Sequence, residues 1–164
     1  MKLLPPEQYQ PEAHHLFETL RQELEPLLPE HGIEHIGASA IPGAISKGDL
    51  DVCIITPQGR ISATIKTIKA LGYREKEETL RTDQLCMLIP MSRGRDVALQ
   101  VIEAGSQFEF FLTFRDALRA NPGWVKEYNQ IKQDASFLTD ELYRLRKADF
   151  IESILRRCQS DAQI

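Results

Sequence analysis

Cysteine is scarce in this 164-residue sequence, and long apolar runs are missing. The three cysteines, Cys53, Cys86 and Cys158, are too widely spaced for a CxxC zinc pair, so neither a disulfide framework nor a zinc site is expected. No stretch approaches the roughly 18 apolar residues of a membrane span, and the first residues do not form an export signal. We therefore expect a cytoplasmic protein with reduced thiols and no membrane partner.

A surplus of basic residues is also lacking. The chain has 20 Lys and Arg against 24 Asp and Glu, for a net charge of −4. Proteins that bind nucleic acid through its phosphates normally carry a basic surplus, so nonspecific nucleic-acid binding is disfavoured, although a local basic groove stays open. Hydrophobic residues make up 42% and charged residues 27%, the balance of a globular domain with its own core.

The hydrophobic periodicity predicts an α+β fold with a mixed sheet. The expected strands cover residues 32–37, 50–55, 84–91 and 96–103. The expected helices cover residues 11–25, 61–71, 106–120, 122–135 and 139–158. A hairpin turn at 92–95 joins the last two strands, with Gly94 where a positive φ is needed. We expect a single domain over 1–164, with a mixed α/β core over 1–105 and a C-terminal helical layer over 106–164.

Two aspartates stand at the start of an apolar strand. Side chains alternate along a strand, so Asp49 and Asp51 project from one face, about 6 to 7 Å apart at Cα, while Leu50 points to the core. Two such carboxylates repel each other unless a cation lies between them. Mg²⁺ takes one or two carboxylates together with phosphate oxygens, so the pair is a candidate site for Mg²⁺ or Mn²⁺. A solvated strand entrance is the alternative interpretation.

A turn of small residues precedes this strand. Gly37 and Ser39 offer backbone amides and a hydroxyl at a strand end, an arrangement suited to phosphates bound to the metal. His35 is expected at the rim of the strand, where a hydrogen bond from its ring holds the turn in place.

Together these segments resemble the nucleotidyltransferase superfamily, in which a strand ends in Gly-Ser and Asp-x-Asp follows on the next strand after about ten residues. More narrowly, residues 35–43, His-Ile-Gly-Ala-Ser-Ala-Ile-Pro-Gly, resemble the signature of the GrpB-like family. The resemblance continues at Gly105, Ser106, Phe114, Arg115, Asp116, Leu118, Arg119, Tyr128, Lys132, Tyr143 and Lys147.

This resemblance implies a nucleotidyltransferase-like fold, a short mixed sheet flanked by helices. It also implies Mg²⁺-dependent transfer of a nucleoside monophosphate from a nucleoside triphosphate (NTP) to an acceptor hydroxyl. Asp49 and Asp51 would be the catalytic, metal-holding residues. The turn of Gly37, Ala38 and Ser39 would bind the β- and γ-phosphates. The acceptor and the oligomeric state are left open.

Basic side chains are expected to supply the remaining phosphate contacts. Lys47, two residues before Asp49, is placed to reach the γ-phosphate. Arg115 and Lys132 match positions of the family on the later helices and are expected at the nucleotide. Three further arginines lie near strand ends: Arg81, Arg93 and Arg95.

Two departures from the superfamily pattern keep a second function open. Ala38 stands where the superfamily usually has Ser, and the strand expected to carry a third carboxylate has Gln100 instead. A glutamine amide positions a hydroxyl but does not take its proton at neutral pH. Asp96 shares the face of Gln100 but lies about 13 Å away along the strand. The alternative is a non-catalytic nucleotide-binding or protein-interaction module on the same fold.

Overall fold

One five-stranded sheet organises the computed structural model, which describes residues 1–92, 94 and 96–161. The strands are Gly32–Ile36 (β1), Leu50–Thr56 (β2), Tyr73–Glu75 (β3), Leu85–Pro90 (β4) and Val97–Glu103 (β5). Their order across the sheet is β1-β2-β5-β4-β3. β2 and β5 are parallel, and the other three neighbouring pairs are antiparallel, so the sheet is mixed, as predicted.

Helices surround this sheet. The α-helices are Pro6–Leu24 (α1), Ile61–Lys69 (α2), Phe110–Ala120 (α3), Pro122–Ala135 (α4) and Asp140–Asp161 (α5). Short 3₁₀ turns occupy Ala38–Ala40 and Gln107–Glu109. The three consecutive helices α3 to α5 confirm the predicted C-terminal helical layer. Across the described residues, no helix combines the length and apolar character that a membrane crossing requires.

The first face of the sheet packs against α1 and α2. Leu50, Val52 and Ile54 point to this side from β2, and Leu99 does so from β5. The helices contribute Phe17, Leu20, Leu24, Ile61, Ile65 and Ile68. Because alternate residues of β2 are committed to this core, the intervening residues, among them Asp51, must face the other side.

The second face of the sheet changes from polar at Asp51 to apolar at Cys53 along β2. Cys53 packs with Ile102 of β5 and with Phe108 at the start of the helical layer. Asp51, two residues earlier, lies beyond this apolar contact. A separate apolar cluster joins the helical layer to the loop between β1 and β2: Ile41, Ala44, Phe114, Leu118, Val125, Tyr128, Phe150 and Ile154. The aspartates therefore stand where the sheet, this loop and the helices meet.

The structure differs from the sequence prediction most clearly at α1 and β3. α1 begins at Pro6, a proline tolerated in the first helical turn because its N–H would have no partner there, and the helix continues through Pro11, the predicted start five residues later. β3 was not predicted, because an edge strand of three residues is too short to show alternation. The antiparallel pairing of β4 with β5 confirms the two strands of the hairpin, but Arg93 and Arg95 lie outside the described residues.

Leu99→Ala is expected to lower the free energy of unfolding by about 2 to 5 kcal/mol, because Leu99 is fully buried in β5. Leu80→Ala deletes the same atoms from a side chain that is 61% exposed and should change stability by less than about 0.5 kcal/mol. Urea unfolding followed by circular dichroism measures both values. Similar losses in the two variants would contradict this core.

Candidate active site

A cavity of about 210 Å³ lies between the second face of the sheet and the helical layer. Asp49, Asp51 and Gln100 line it from the sheet, as strand alternation predicts. Its helical wall consists of Phe110, Phe111, Phe114, Tyr128, Lys132, Tyr143, Lys147 and Ile151. Seven of the site residues predicted from the sequence meet here: Gly37, Ala38, Lys47, Asp49, Asp51, Gln100 and Lys132.

The two carboxylates repel each other electrostatically. Burial, and to a smaller extent the negative charge of Asp49, raise the pKa of the Asp51 carboxyl to about 6. The positive charges of Lys147, Lys47 and Lys76 act the other way but do not cancel these effects. At neutral pH the ionised pair is therefore held together at a cost in stability, and binding of a cation there would reduce that cost.

Gly37 allows the turn after β1 to lie directly against Asp51. Its φ is +72°, in the left-handed region that favours glycine. A Cβ atom at this position would lie 2.6 Å from Oδ2 of Asp51, closer than any normal contact. The turn and the carboxylate can share this space only because residue 37 has no side chain.

Side chains from α1, α3 and α4 hold the loop between β1 and β2 by its carbonyl oxygens. The Tyr9 hydroxyl donates to the carbonyl of Ala44 at 2.7 Å, and the Gln10 amide donates to that of Ile41 at 2.8 Å. The Arg119 guanidinium donates to the carbonyl of Ala40 at 2.8 Å, and the Asn129 amide donates to that of Gly43 at 2.8 Å. A loop held at so many backbone positions is preorganised, so a ligand need not order it on binding.

Lys132 is buried beside this loop and also lines the cavity. Its ammonium group donates a hydrogen bond to the carbonyl of Ile45 and lies 4.1 Å from the centre of the Tyr128 ring. Burial lowers the pKa of Lys132 to about 7. Lys147 lies over the ring of Tyr143 at 5.4 Å, and the two aspartates partly offset the lowering of its pKa by burial.

Ser39 and Arg115 are placed elsewhere than the sequence analysis expected. The hydroxyl of Ser39 is buried in a 2.7 Å hydrogen bond with Nε2 of His35, so His35 holds the turn as predicted. The Arg115 guanidinium donates to Glu34 at 2.6 Å and to the carbonyl of His35 at 3.0 Å. Neither residue lines the cavity, because the 3₁₀ turn directs Ser39 towards β1 and α3 packs Arg115 against the same strand.

The strand register identifies what stands beside the aspartates. Asp51 is paired with Ala98 of β5. Gln100 is paired with Cys53, which lies two residues beyond Asp51 along β2. No group of three or more His, Cys, Asp or Glu side chains within residues 1–92, 94 and 96–161 is arranged to hold a metal ion. The donor set is thus two carboxylates, which suits a Mg²⁺ ion that takes its other ligands from phosphates and water.

Sequence reasoning missed Lys76 altogether. This side chain follows the unpredicted strand β3, and its charge acts on the Asp51 carboxyl across the sheet. Phe110 and Phe111 fall within the helix predicted over 106–120, but their position on the cavity wall depends on how α3 packs. A prediction of β3 would have been needed to find Lys76.

Comparison with known proteins agrees with this architecture. The family model described as GrpB protein matches residues 7–157. A UPF0157 protein from Vibrio cholerae is 44% identical over 155 residues, which are 94% of this chain and 82% of the relative. The chain belongs to the GrpB family. The names of these relatives state no activity.

Solved structures extend the comparison to the fold. The crystal structure of the conserved protein GrpB from Enterococcus faecalis matches with a TM-score of 0.78 and 23% identity, covering 99% of this chain and 100% of that chain. A structure of Cid1 in complex with its short product ApU matches with a TM-score of 0.52 and 14% identity. It covers 75% of this chain and 38% of Cid1. The GrpB-family chain therefore has a nucleotidyltransferase-like fold.

Gly37→Ala is expected to destabilise the protein more than Gly59→Ala does, by about 1 kcal/mol or more. Both glycines have a positive φ, +72° and +79°, so an alanine is strained at either position. An added Cβ meets Asp51 at position 37 and nothing within 4 Å at position 59. Urea unfolding of both variants measures the difference, and equal losses would contradict the close approach of the turn to Asp51.

Asp51→Asn is expected to stabilise the metal-free protein at pH 8, by about 1 to 3 kcal/mol. The pKa of Asp51 is raised to about 6 in the folded protein, so ionised Asp51 destabilises the fold above that pH. As the pH falls from 6 towards 4, the wild-type carboxyl takes up its proton and the advantage of the variant disappears.

Unfolding curves at pH 8 and pH 5 measure this difference. Asp149→Asn, at an exposed position of α5, serves as the control and should show no comparable pH dependence. A stability difference between Asp51→Asn and wild type that is the same at both pH values would contradict the raised pKa.

Proposed function

We propose that this GrpB-family protein binds an NTP in the cavity, with Mg²⁺ or Mn²⁺ held by Asp49 and Asp51, and transfers its nucleoside monophosphate to an acceptor hydroxyl. The observation that carries the proposal is the strained carboxylate pair against the Gly37 turn, at the margin of a nucleotidyltransferase-like sheet. Such a pair has a physical reason to bind a divalent ion, and the lysines that line the same cavity favour a polyanionic partner.

Lysines at the cavity supply charge for the triphosphate. Lys47 and Lys147 have no carboxylate within ion-pair distance among the described residues, although both line the cavity. Lys132, whose pKa is lowered to about 7, adds a third amine that is held in place by the loop carbonyl of Ile45. Cations without protein partners are suited to phosphate oxygens, which form strong charge-assisted hydrogen bonds with them.

The aromatic half of the same cavity suits the nucleoside. Phe110 and Phe111 lie with ring centres 4.4 Å apart and are only partly buried. Tyr143 extends this apolar wall from α5. An aromatic surface at one end and ammonium groups at the other match the two chemically different ends of a nucleotide.

In the proposed reaction the acceptor oxygen forms a bond to the α-phosphorus. The bond from that phosphorus to its bridging oxygen breaks, its electron pair leaves with pyrophosphate, and the hydroxyl proton passes to solvent. Bound Mg²⁺ would neutralise charge on the phosphate oxygens during this exchange. The lysines hold the phosphates, the Gly37 turn positions Asp51, and the helical wall excludes water from the nucleoside.

A second candidate function is nucleotide binding without transfer. It is favoured by Ala98, which occupies the strand position in register with Asp51 and has no proton-accepting group. A protein of this kind would use the same cavity and the same aspartates, so nucleotide binding alone does not separate the two candidates.

Asp51→Asn is expected to reduce nucleotidyl transfer by about 100-fold or more, because it removes a charged ligand of the metal. Each α-³²P-labelled NTP is incubated with the protein, Mg²⁺ and a cell extract as the source of acceptors, and labelled products are separated chromatographically. The exposed Asp149→Asn variant should retain full transfer, and excess EDTA should abolish it.

Isothermal calorimetry with a nonhydrolysable NTP completes this test. Mg²⁺-dependent heat without transfer by wild type would favour the second candidate. Neither heat nor transfer with any NTP would refute both.

A further inference from the structure

A second cavity of about 270 Å³ lies on the other side of the aspartate pair. It shares Lys47, Asp49 and Asp51 with the cavity described above, so the two cavities meet at the carboxylates. Its remaining walls come from β4, β5 and the end of β3: Lys76, Met87, Ile89, Asp96, Val97 and Ala98. A molecule in this cavity would approach the aspartates from the side opposite the aromatic wall.

The sheet places Lys76 on this face. Its backbone N–H donates to the carbonyl of Met87 at 2.9 Å, which extends the pairing of β3 with β4 by one residue. Met87 is in turn paired with Gln100, which faces the aspartates. Lys76 therefore projects from the same face as Asp51, three strands and about 14 Å away at the backbone.

Lys76 has no acidic partner, unlike Lys69 and Arg81, which both bind Glu75. Glu75 accepts hydrogen bonds from Lys69 at 2.7 Å and from Arg81 at 2.8 Å. By contrast, no carboxylate in the described part of the chain lies within ion-pair distance of Lys76, whose side chain is half-buried. A partly desolvated ammonium group without a partner favours an anionic ligand.

The two ends of this cavity differ in charge. Lys76 stands at one end, whereas the other end carries three carboxylates, Asp49, Asp51 and Asp96, against the single lysine Lys47. Met87 and Ile89 form a partly exposed apolar surface between them. An occupant that carries an anionic group at one end and a hydrogen-donating hydroxyl at the other matches this polarity.

Volume and charge restrict the occupant further. About 270 Å³ is slightly below the roughly 300 to 1,000 Å³ of typical small-ligand pockets. The chain carries a net charge of −4, which disfavours the extended phosphate contacts that a polynucleotide would need. The cavity thus matches a small molecule better than the end of a nucleic-acid strand.

We propose that this second cavity is the acceptor site, that the acceptor is a small alcohol bearing a phosphate or carboxylate, and that Lys76 binds its anionic group. The proposal rests on the proposed function for the identity of the second substrate. The acceptor hydroxyl then lies at the aspartate end, where it faces the α-phosphate of a nucleotide in the first cavity.

Methionine methyl NMR tests occupancy of this cavity directly. The chain has three methionines, of which Met87 lines the cavity and Met1 and Met91 are exposed at other positions. Protein labelled with ¹³C at the methionine methyl groups is saturated with a nonhydrolysable NTP and Mg²⁺ and titrated with glycerol 3-phosphate. We expect a saturable shift of the Met87 signal and no comparable shift of the other two.

Variants assign this binding to the ammonium group. Lys76→Ala should weaken glycerol 3-phosphate binding by about tenfold or more, and Lys76→Arg should retain it within about threefold. Lys66→Ala removes an exposed lysine from α2 and should change nothing. Uncharged glycerol should not shift Met87.

The proposal would be overturned by equal binding in Lys76→Ala and wild type, by an equal response to glycerol, or by no response of Met87. It would also be overturned if Met87 responded only to an oligonucleotide with a free 3′ hydroxyl. The titration is repeated without nucleotide, so that anion binding in this cavity is tested independently of NTP binding. If calorimetry shows no NTP binding while Met87 still titrates through Lys76, the proposed function fails and the anion site stands.

Discussion

Repulsion between two carboxylates is the constraint on which the site depends. Strand alternation places Asp49 and Asp51 on one face, and packing of β2 against α1 and α2 prevents either side chain from turning away. Burial and mutual repulsion then raise the pKa of Asp51 to about 6. The fold carries this unfavourable arrangement because Leu50, Val52 and Ile54 of the same strand are buried in the core, which outweighs it. Local destabilisation of this kind is common where a protein binds an ion or a substrate.

The loop before β2 is held rigidly, and this keeps its turn against the two repelling carboxylates. Residues between the two strands have few side chains that pack by themselves, yet their carbonyls receive hydrogen bonds from three different helices. Ile41 and Ala44 also anchor the loop in the helical layer. As a result, the Gly37 turn cannot retreat from Asp51, and the geometry around the carboxylates is set before any ligand arrives.

The features of the site that could be predicted are those determined by residues adjacent to one another in the sequence. The spacing of Asp49 and Asp51 on a strand, and the need for glycine at position 37, follow from local backbone geometry. The directions of Ser39 and Arg115 do not, because each depends on which surface of β1 it meets after the helices pack. Lys76 was beyond reach for a related reason: it enters the site through strand pairing of a segment too short to be recognised as a strand.

The two cavities divide the chemistry of the site between the layers of the fold. The helical layer supplies aromatic rings and Lys132 and Lys147 to one side of the aspartates, whereas β3 and β4 supply Lys76 and an apolar floor to the other. The aspartates and Lys47 belong to both sides. Substitutions at the shared residues therefore affect both cavities, whereas Tyr143 and Lys76 each border a single one of the two. This separation allows the side that suits a nucleotide and the side that suits an acceptor to be altered independently.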